Sequence, residues 1–454
     1  MPSPSPQLQR AFALEVLETL RQHGFTAYWA GGCVRDMLLG REPKDYDVAT
    51  DATPQRVREI FGRRRTIFTG AVFGVVNVLG PHHSANVEVA TFRSDATYTD
   101  GRHPDSVTFT TPENDARRRD FTINGLFYDP VAKHILDFVD GQRDLRQGIV
   151  RAIGDPIARI TEDKLRMLRA VRFTATYDFH LDDETAAAIE RMSSEVDVVS
   201  VERIAQELRR MLTGPRPKLS MWLLYRTGLL KALLPEVASL ADVEATSGEA
   251  AAGAGNLSAW SRTLAMLDVM PHVEFPLAAA TLLHRIGFSS GQSGERMTLE
   301  DVARRSATMA EQIGRRLRLS TRERESIVWL VGNQHALRDA RSLRWSRLQP
   351  LAIDPRFGDL VRFERVAAQI ECRGEADADY CQALLARTRE ELDPPPLLSG
   401  GDLIRHGVAR GRIFATLLRG TRDAQLDGEI ATREEALELV DQWLAANRGS
   451  RRDG

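Results

Sequence analysis

The spacing of apolar residues changes once along this 454-residue chain, and that change divides the folds open to it. Up to about residue 150, short β-rich runs alternate with turn signals: "FTAYWAGG" (25–32), "DYDVAT" (45–50), "AVFGVVNVLG" (71–80) and "ANVEVATFR" (85–93). Helical spacing in this part covers "LQRAFALEVLETLRQ" (8–22), stopped by Gly24, and "TPQRVREIFG" (53–62). From about Asp155 the pattern turns helical almost without a break, through "DPIARITEDKLRMLRAVRFTATY" (155–177), "TAAAIERMSSEV" (185–196) and "VERIAQELRRMLTG" (201–214). The expectation is an α/β domain with a mixed or antiparallel sheet, followed by a mostly α-helical remainder.

A chain this long outgrows a single core, so three or four domains are expected. The best linker is Ala238–Trp260, rich in Gly, Ala and Ser. "GFSSGQSGERMT" (287–298) reads as a second loop, and the three prolines of "ELDPPPLLSG" (391–400) force an extended boundary. No apolar run approaches the roughly 20 residues of a membrane span. The start "MPSPSPQ" has neither a basic nor an apolar leader region, so a cytoplasmic protein is expected. Cys33, Cys372 and Cys381 give neither a disulfide framework nor metal-ligand spacing. The net charge of −2 gives no global basic field, and nearly all the positive charge is arginine, whose fork suits phosphate.

The chemistry concentrates in "GGCVRDMLLGREPKDYDVATDATP" (31–54). Residues i and i+2 of a strand share a face, so Asp45 and Asp47 point together while Tyr46 and Val48 enter the other layer. Glu88 in "NVEVATF" has valines on either side that face the opposite way. If the two strands are neighbours, three carboxylates converge on one patch, a hard-oxygen cluster suited to Mg²⁺. An acidic pair alone is commonplace on surfaces. Here Gly31 and Gly32 would let a triphosphate approach the backbone, with Arg35 one helical turn later to neutralise it. There is no Gly-x-x-x-x-Gly-Lys, so this is not a P-loop.

Together, "GGCVRD", a loop and "KDYD" resemble the opening signature of the polymerase-β-like nucleotidyltransferases, and more closely the bacterial class II tRNA nucleotidyltransferase and poly(A) polymerase family. Further segments match in family order. "VEVATFR" (87–93) is similar to the strand that supplies the third carboxylate, here Glu88. "RRDFTINGLFYDP" (118–130) resembles a motif in which Arg119 and Asp120 contact sugar and phosphate, supported by Asn124. "DFVDGQRDL" (137–145) looks like the hinge, "TEDKLRMLRAVRF" (161–173) like the nucleotide-reading helix, and "SVERIAQEL" (200–208) like the helix that braces it. The resemblance implies a head at 1–150, a neck at 151–215, a helical body at 216–390 and an RNA-binding tail at 391–454.

Asp163, Arg166, Arg169 and Arg172 stand three apart, as neighbours on a helix surface. Aspartate accepts from an exocyclic amine and arginine donates to a ring acceptor, a pattern that cytosine and adenine satisfy and uracil and guanine do not. Arg169 and Arg172 would brace that pair or reach phosphate. The resemblance thus implies CCA addition to tRNA from CTP and ATP with Mg²⁺, and no protein partner. An A-adding or CC-adding partial enzyme and a poly(A) polymerase stay open. Two features favour the full reaction: the polar stretch 94–115, and "GRRRTIFTGAVFG" (62–74) where many poly(A) polymerases carry "GRRFR".

"LAAATLLHRIGF" (277–288) is similar to an HD phosphohydrolase core, but the pair reads His284–Arg285, and arginine cannot ligate a cation. A phosphohydrolase with a nucleotide-binding head is the rival reading. In the tail, Arg405, Arg410 and Arg412 stand near Gly400, Gly401, Gly407 and Gly411, which would let helix ends meet a phosphate backbone.

Overall fold

The computed structural model describes residues 6–70, 74–81, 85–95, 107–242, 258–288 and 298–449. Most of the expected linker and of the 287–298 loop, and the middle of the 94–115 stretch, lie outside the described residues. The chain divides into two compact units: 1–239 with two short returns at 271–273 and 316–319, and the remainder from 240 onward.

The first unit opens with helix α1 (Pro6–Gln22), strand β1 (Ala27–Ala30), α2 (Gly32–Leu38), β2 (Asp47–Thr50) and α3 (Pro54–Phe61). Strands β3 (Thr66–Gly70), β4 (Val75–Leu79), β5 (Asn86–Thr91), β6 (Arg93–Asp95) and β7 (Val107–Phe109) follow, then α4 (Pro112–Arg117), β8 (Phe127–Asp129), β9 (His134–Leu136) and α5 (Gly141–Gln147). Thr53 caps α3 and Thr111 caps α4, each with proline at the first turn. Seven strands form one mixed sheet in the order β3-β4-β5-β2-β1-β8-β9, in which β2 and β5 run parallel and the other pairs antiparallel. The expected α/β head with a mixed sheet is therefore what the chain builds.

Alternation decides the two faces of this sheet. Trp29, Val48, Val87 and Val89 are buried on the face where α1 contributes Phe12, Val16, Leu17 and Leu20. On the other face Ala30, Ala49, Phe92, Ala116 and Phe127 make a smaller core. It leaves exposed the strand ends that carry Asp47 and Glu88.

Helices α6 (Pro156–Glu162), α7 (Leu165–Tyr177), α8 (Asp183–Met192), α9 (Val201–Leu212), α10 (Pro217–Arg226), α11 (Leu229–Leu233) and α12 (Pro235–Ala238) complete the first unit. The run 155–177 is thus two helices, with Asp163 extended between them at φ −147° and ψ 106°. Among the described residues, no helix is long and apolar enough to cross a membrane.

The second unit is helical: α13 (Ala259–Asp268), α14 (Phe275–Leu283), α15 (Leu299–Arg316), α16 (Thr321–Gly332), α17 (Trp345–Ala352), α18 (Phe357–Ile370), α19 (Ala376–Leu384), α20 (Arg389–Leu392), α21 (Gly400–Arg405), α22 (Arg412–Leu426) and α23 (Arg433–Gly449). Helix α14 is apolar all round and buried, in contact with α13, α16 and α18. The last three helices have their own small core of Leu398, Leu403, Val408, Leu417, Ala436 and Val440.

Candidate active site

Register sets the first half of the site. Ala30 pairs with Asp47, Asp47 with Glu88, and Glu88 with Asn77, so the two carboxylates are direct neighbours in one row across four strands. The strand begins at Asp47, and Asp45 precedes it, exposed like Asp47, while Tyr46 between them is buried against Trp29. Crowding by the surrounding protein raises the Asp47 carboxyl to about 6, with repulsion from Glu88 and Asp45 adding to it against the pull of Arg119. Glu88 is raised too, chiefly by burial. Oxygen donors whose charges are mutually costly are relieved by a hard divalent cation, so the donor set fits one. Among the described residues, though, no three carboxylate, histidine or cysteine groups close into a metal-sized cage.

Gly31 shapes the site through its neighbour Arg119. Gly31 has φ +71°, and a Cβ there would lie 2.8 Å from Nη1 of Arg119. Its immediate purpose is to admit Arg119 beside the carboxylates. Arg119 donates from Nε and Nη2 to Oδ2 of Asp115 at 3.2 and 3.0 Å, and from Nη1 to the Asn124 carbonyl at 3.2 Å. Asp115, which also grips Arg118, is a residue that sequence reasoning missed. Its spacing of three and four from Arg118 and Arg119 was the available signal.

Arg35, expected to neutralise phosphate, is engaged by side chains of the protein itself. It is buried, its guanidinium lies against the rings of Phe173 and Tyr177, and Nη1 donates to Oδ1 of Asn124 at 2.5 Å. Nε donates to Asp36, which also accepts the Tyr177 hydroxyl at 2.8 Å. Asn124 donates in turn to Asp120 at 3.0 Å, and Asp120 accepts from Nε of Arg169 at 2.8 Å. A continuous polar chain therefore runs from α2, through the 120–124 turn, into α7. Burial alone would raise the Asp120 carboxyl, yet Arg169 and Asn124 pull it down to about 2.

The expected Asp163–Arg166 pair is not made. Asp163 is held by a fork from Arg203 of α9, with Nη1 and Nη2 at 3.2 and 2.7 Å, and it also caps Leu165. Arg166 donates to Glu162 at 2.6 Å and to the carbonyls of Arg159 and Arg118 at 2.8 and 3.1 Å. Because Asp163 precedes α7, helical spacing does not govern it. Arg203 is the second residue the sequence reading missed, since its partner lies 40 positions away. Arg172 turns from the site to Glu207 of α9 at 2.5 Å and stacks on Phe173. Arg117, Arg143, Arg151 and Arg159 stand on the walls of a cavity of about 750 Å³ that Thr122 and Asp144 also line, and Arg166 is not among its lining residues. Gly141 packs tightly against the turn that carries Thr122: a Cβ there would meet the Thr122 carbonyl at 2.2 Å.

In the second unit, the His284 ring is buried, with Nδ1 2.7 Å from the Thr281 carbonyl and Nε2 accepting from Nε of Arg285 at 3.2 Å. Desolvation and Arg285 hold it neutral, and Arg285 itself faces Glu371. Both ring nitrogens are engaged, so this pair is built as packing. His335 is half-buried, and desolvation pushes it down to about 4. In the tail, Arg405 pairs with Asp402 at 2.7 Å, and Asp402 also takes Arg433. Arg410 is exposed.

Residues 27–151 match the family described as the Poly A polymerase head domain, and 178–240 match the Probable RNA and SrmB-binding site of polymerase A. The chain is 44% identical to the CCA-adding enzyme of Ligilactobacillus salivarius over 207 residues, 45% of this chain and 50% of that one. It is 41% identical to the Levilactobacillus brevis CCA-adding enzyme over 252 residues, 55% of this chain and 62% of the relative. The matched region thus spans half to three-fifths of the length of these curated relatives. The Bacillus stearothermophilus CCA-adding enzyme in complex with CTP superimposes with a TM-score of 0.69 at 26% identity, covering 98% of this chain and 99% of that one. The Thermotoga maritima CCA-adding enzyme complexed with tRNA shares the fold, with a TM-score of 0.60 at 19% identity over 98% and 97% of the two chains.

Proposed function

Because this chain belongs to the family of CCA-adding enzymes and poly(A) polymerases, we propose that it adds C, C and A to the 3′ end of tRNA from CTP and ATP, without a nucleic-acid template. The observation that carries this reading is the Asp47–Glu88 register pair with Asp45 beside it, in the same unit as Asp163 and Arg166. Asp45 and Asp47 would hold the divalent cations, Mg²⁺ in this reading. Bound there, the metal supplies an activated 3′-hydroxyl and charge neutralisation for the leaving pyrophosphate. Glu88 completes the acidic wall. Arg119, whose charge acts on Asp47, takes phosphate charge, while Asp120 and Asn124 orient the segment that carries it. Gly31 and Gly32 leave room for the nucleotide, and Arg35 acts by holding Asn124.

For base choice, Arg203 leaves one lone pair of Asp163 Oδ2 open to an exocyclic amine. The carbonyls of Arg118 and Arg159 fix the Arg166 plane and leave Nε–H for a ring acceptor. Cytosine and adenine satisfy both groups. Uracil and guanine leave both unpaired, at about 1–3 kcal/mol for each group. Arg169 and Arg172 brace this pair indirectly, by tying α7 to Asp120 and to Glu207 of α9, the helix that carries Arg203. In this reading, residues 1–150 are the head, 151–215 the neck, 216–390 the body and 391–454 the tail. Arg405, Arg410 and Arg412 grip the RNA, and the enzyme works in the cytoplasm with its tRNA.

The test is extension, at single-nucleotide resolution, of tRNA transcripts ending before CCA, after C and after CC. CTP, ATP and both together are supplied, with Asp45→Ala/Asp47→Ala as control. Completion to CCA followed by a stop supports the full reaction. A single A, a halt after CC or a ladder of A would assign an A-adding enzyme, a CC-adding enzyme or a poly(A) polymerase instead.

A further inference from the structure

The row of paired residues that sets the carboxylates continues past them to the edge of the sheet. Glu88 pairs with Asn77, and Asn77 pairs with Ile67 on β3, the outermost strand. Residues directly paired across strands share a face, so Ile67 stands on the same face as Asp47 and Glu88. It is 50% exposed, while Thr66 beside it, which faces the other way, is buried. Phe109 is a second large apolar side chain in water, 43% exposed. It pairs with Arg93 across β6 and β7, and its ring closes on Gly74, just before β4, where a Cβ would meet it at 3.3 Å.

The two ends of the row are not equivalent. The Arg119 charge bears on Asp47, and the Arg93 charge bears on Glu88. In the reading above, the triphosphate lies at the Asp47 end, by Gly31 and Arg119. In phosphoryl transfer the attacking and leaving oxygens stand on opposite sides of the phosphorus. With pyrophosphate leaving at the Arg119 end, the attacking hydroxyl has to come from the Glu88 end, over β4 and β3.

We propose that this strip of sheet beyond Glu88 seats the 3′-terminal nucleoside of the RNA being extended, with Ile67 and Phe109 as its apolar floor and Arg63 and Arg64 on the phosphates behind it. The inference rests on the tRNA reading and adds the contacts of the acceptor strand. The end to be extended carries a different base as the reaction proceeds, so a seat that read base edges would stall. Apolar and aromatic contact accepts any base face. Arg63 and Arg64, in the turn that leads into β3, are exposed, and no carboxylate pairs with either among the described residues. Two uncompensated guanidinium groups beside an apolar floor suit a polyanion better than a protein partner.

The test uses the full chain and tRNA transcripts ending after C and after CC, extended with CTP and ATP respectively, with initial rates read as each substrate is varied. Ile67→Ala/Phe109→Ala should raise KM for the transcript by about tenfold, a typical cost of lost stacking, with KM for the nucleotide and the melting curve unchanged. Ile67→Glu should raise it as well, by setting a carboxylate against the RNA. Arg63→Ala/Arg64→Ala should lower the slope of log K for the transcript against log salt by about 1 to 2. Transcript KM values within twofold of the parent would overturn the proposal and leave the tRNA reading intact. A rise in nucleotide KM alone would also overturn it, and would assign the strip to the incoming nucleotide. So would unchanged kinetics of Ile67→Glu combined with a smaller particle by light scattering, which would assign the β3 edge to a second copy of the chain. If the parent extends neither transcript, the functional reading fails first and this inference falls with it.

Discussion

Asp120 shows how single residues in this site are fixed by their partners. Its carboxyl sits at about 2 against an ordinary 3.8, because Arg169 and Asn124 outweigh the cost of burial. A carboxylate depressed in the folded state stabilises the protein fully above its unfolded value, near pH 4, and loses that contribution as pH falls towards 2. The difference is worth roughly 2–3 kcal/mol. Arg169→Gln should therefore destabilise by about 3 kcal/mol at pH 7, measured as a urea midpoint, because it leaves Asp120 buried without its cation. The gap to the parent should close below pH 4, and an equal gap at pH 7 and pH 3 would contradict this account. Gly31→Ala tests the neighbouring close approach. It combines a positive φ with a clash on Arg119, and should cost about 1–3 kcal/mol in the same assay. Asp47→Asn should reduce nucleotide incorporation by about a thousandfold or more, since a neutral amide cannot hold a divalent cation.

At the scale of elements, the link that matters is between α9 and the break before α7. Arg203 presents a two-pronged donor to Asp163 and fixes the carboxylate plane. Arg203→Ala should lower the preference for CTP over UTP about tenfold in single-turnover incorporation, with Arg203→Lys recovering only part of it. A lower rate with unchanged preference would make Arg203 a packing residue. This link also marks where the sequence stopped being legible. Alternation alone gave the two faces of β5, because Val87 and Val89 must be buried and Glu88 must not. Asp45 and Asp47 were legible for the same reason. The direct pairing of Asp47 with Glu88 needed β2 and β5 to be neighbours, and two other strands intervene between them in sequence. The break at Asp163 was hidden because "TEDKLRM" consists of acceptable helix formers, and a tertiary partner overrode their propensity. The surroundings of Arg35 were hidden for a related reason. Its nearness to the glycines is local information, while its engagement with Asn124, Phe173 and Tyr177 is not.

For the whole molecule, the charge balance poses a problem that its distribution resolves. A protein with a net charge of −2 has no long-range attraction for a polyanion, so binding to tRNA has to come from local arginine groups. Each phosphate neutralised releases condensed counterions, and the number of contacts is read from the salt dependence of binding. The tail is suited to supply several of these contacts. Its helices have a core of their own, and Arg405 and Arg410 are exposed on a segment bounded by Gly400 and Gly411. Arg405 already shares Asp402 with Arg433, so its contribution is discounted by an existing partner. The combined variant Arg405→Ala/Arg410→Ala/Arg412→Ala should lower the slope of log K against log salt by about 2, and by no more than about 3 if all three touch phosphate. At about 0.1 M salt it should weaken tRNA binding roughly tenfold or more. An unchanged slope would mean that these three arginines do not touch phosphate, and the RNA contacts would then have to come from the rest of the chain.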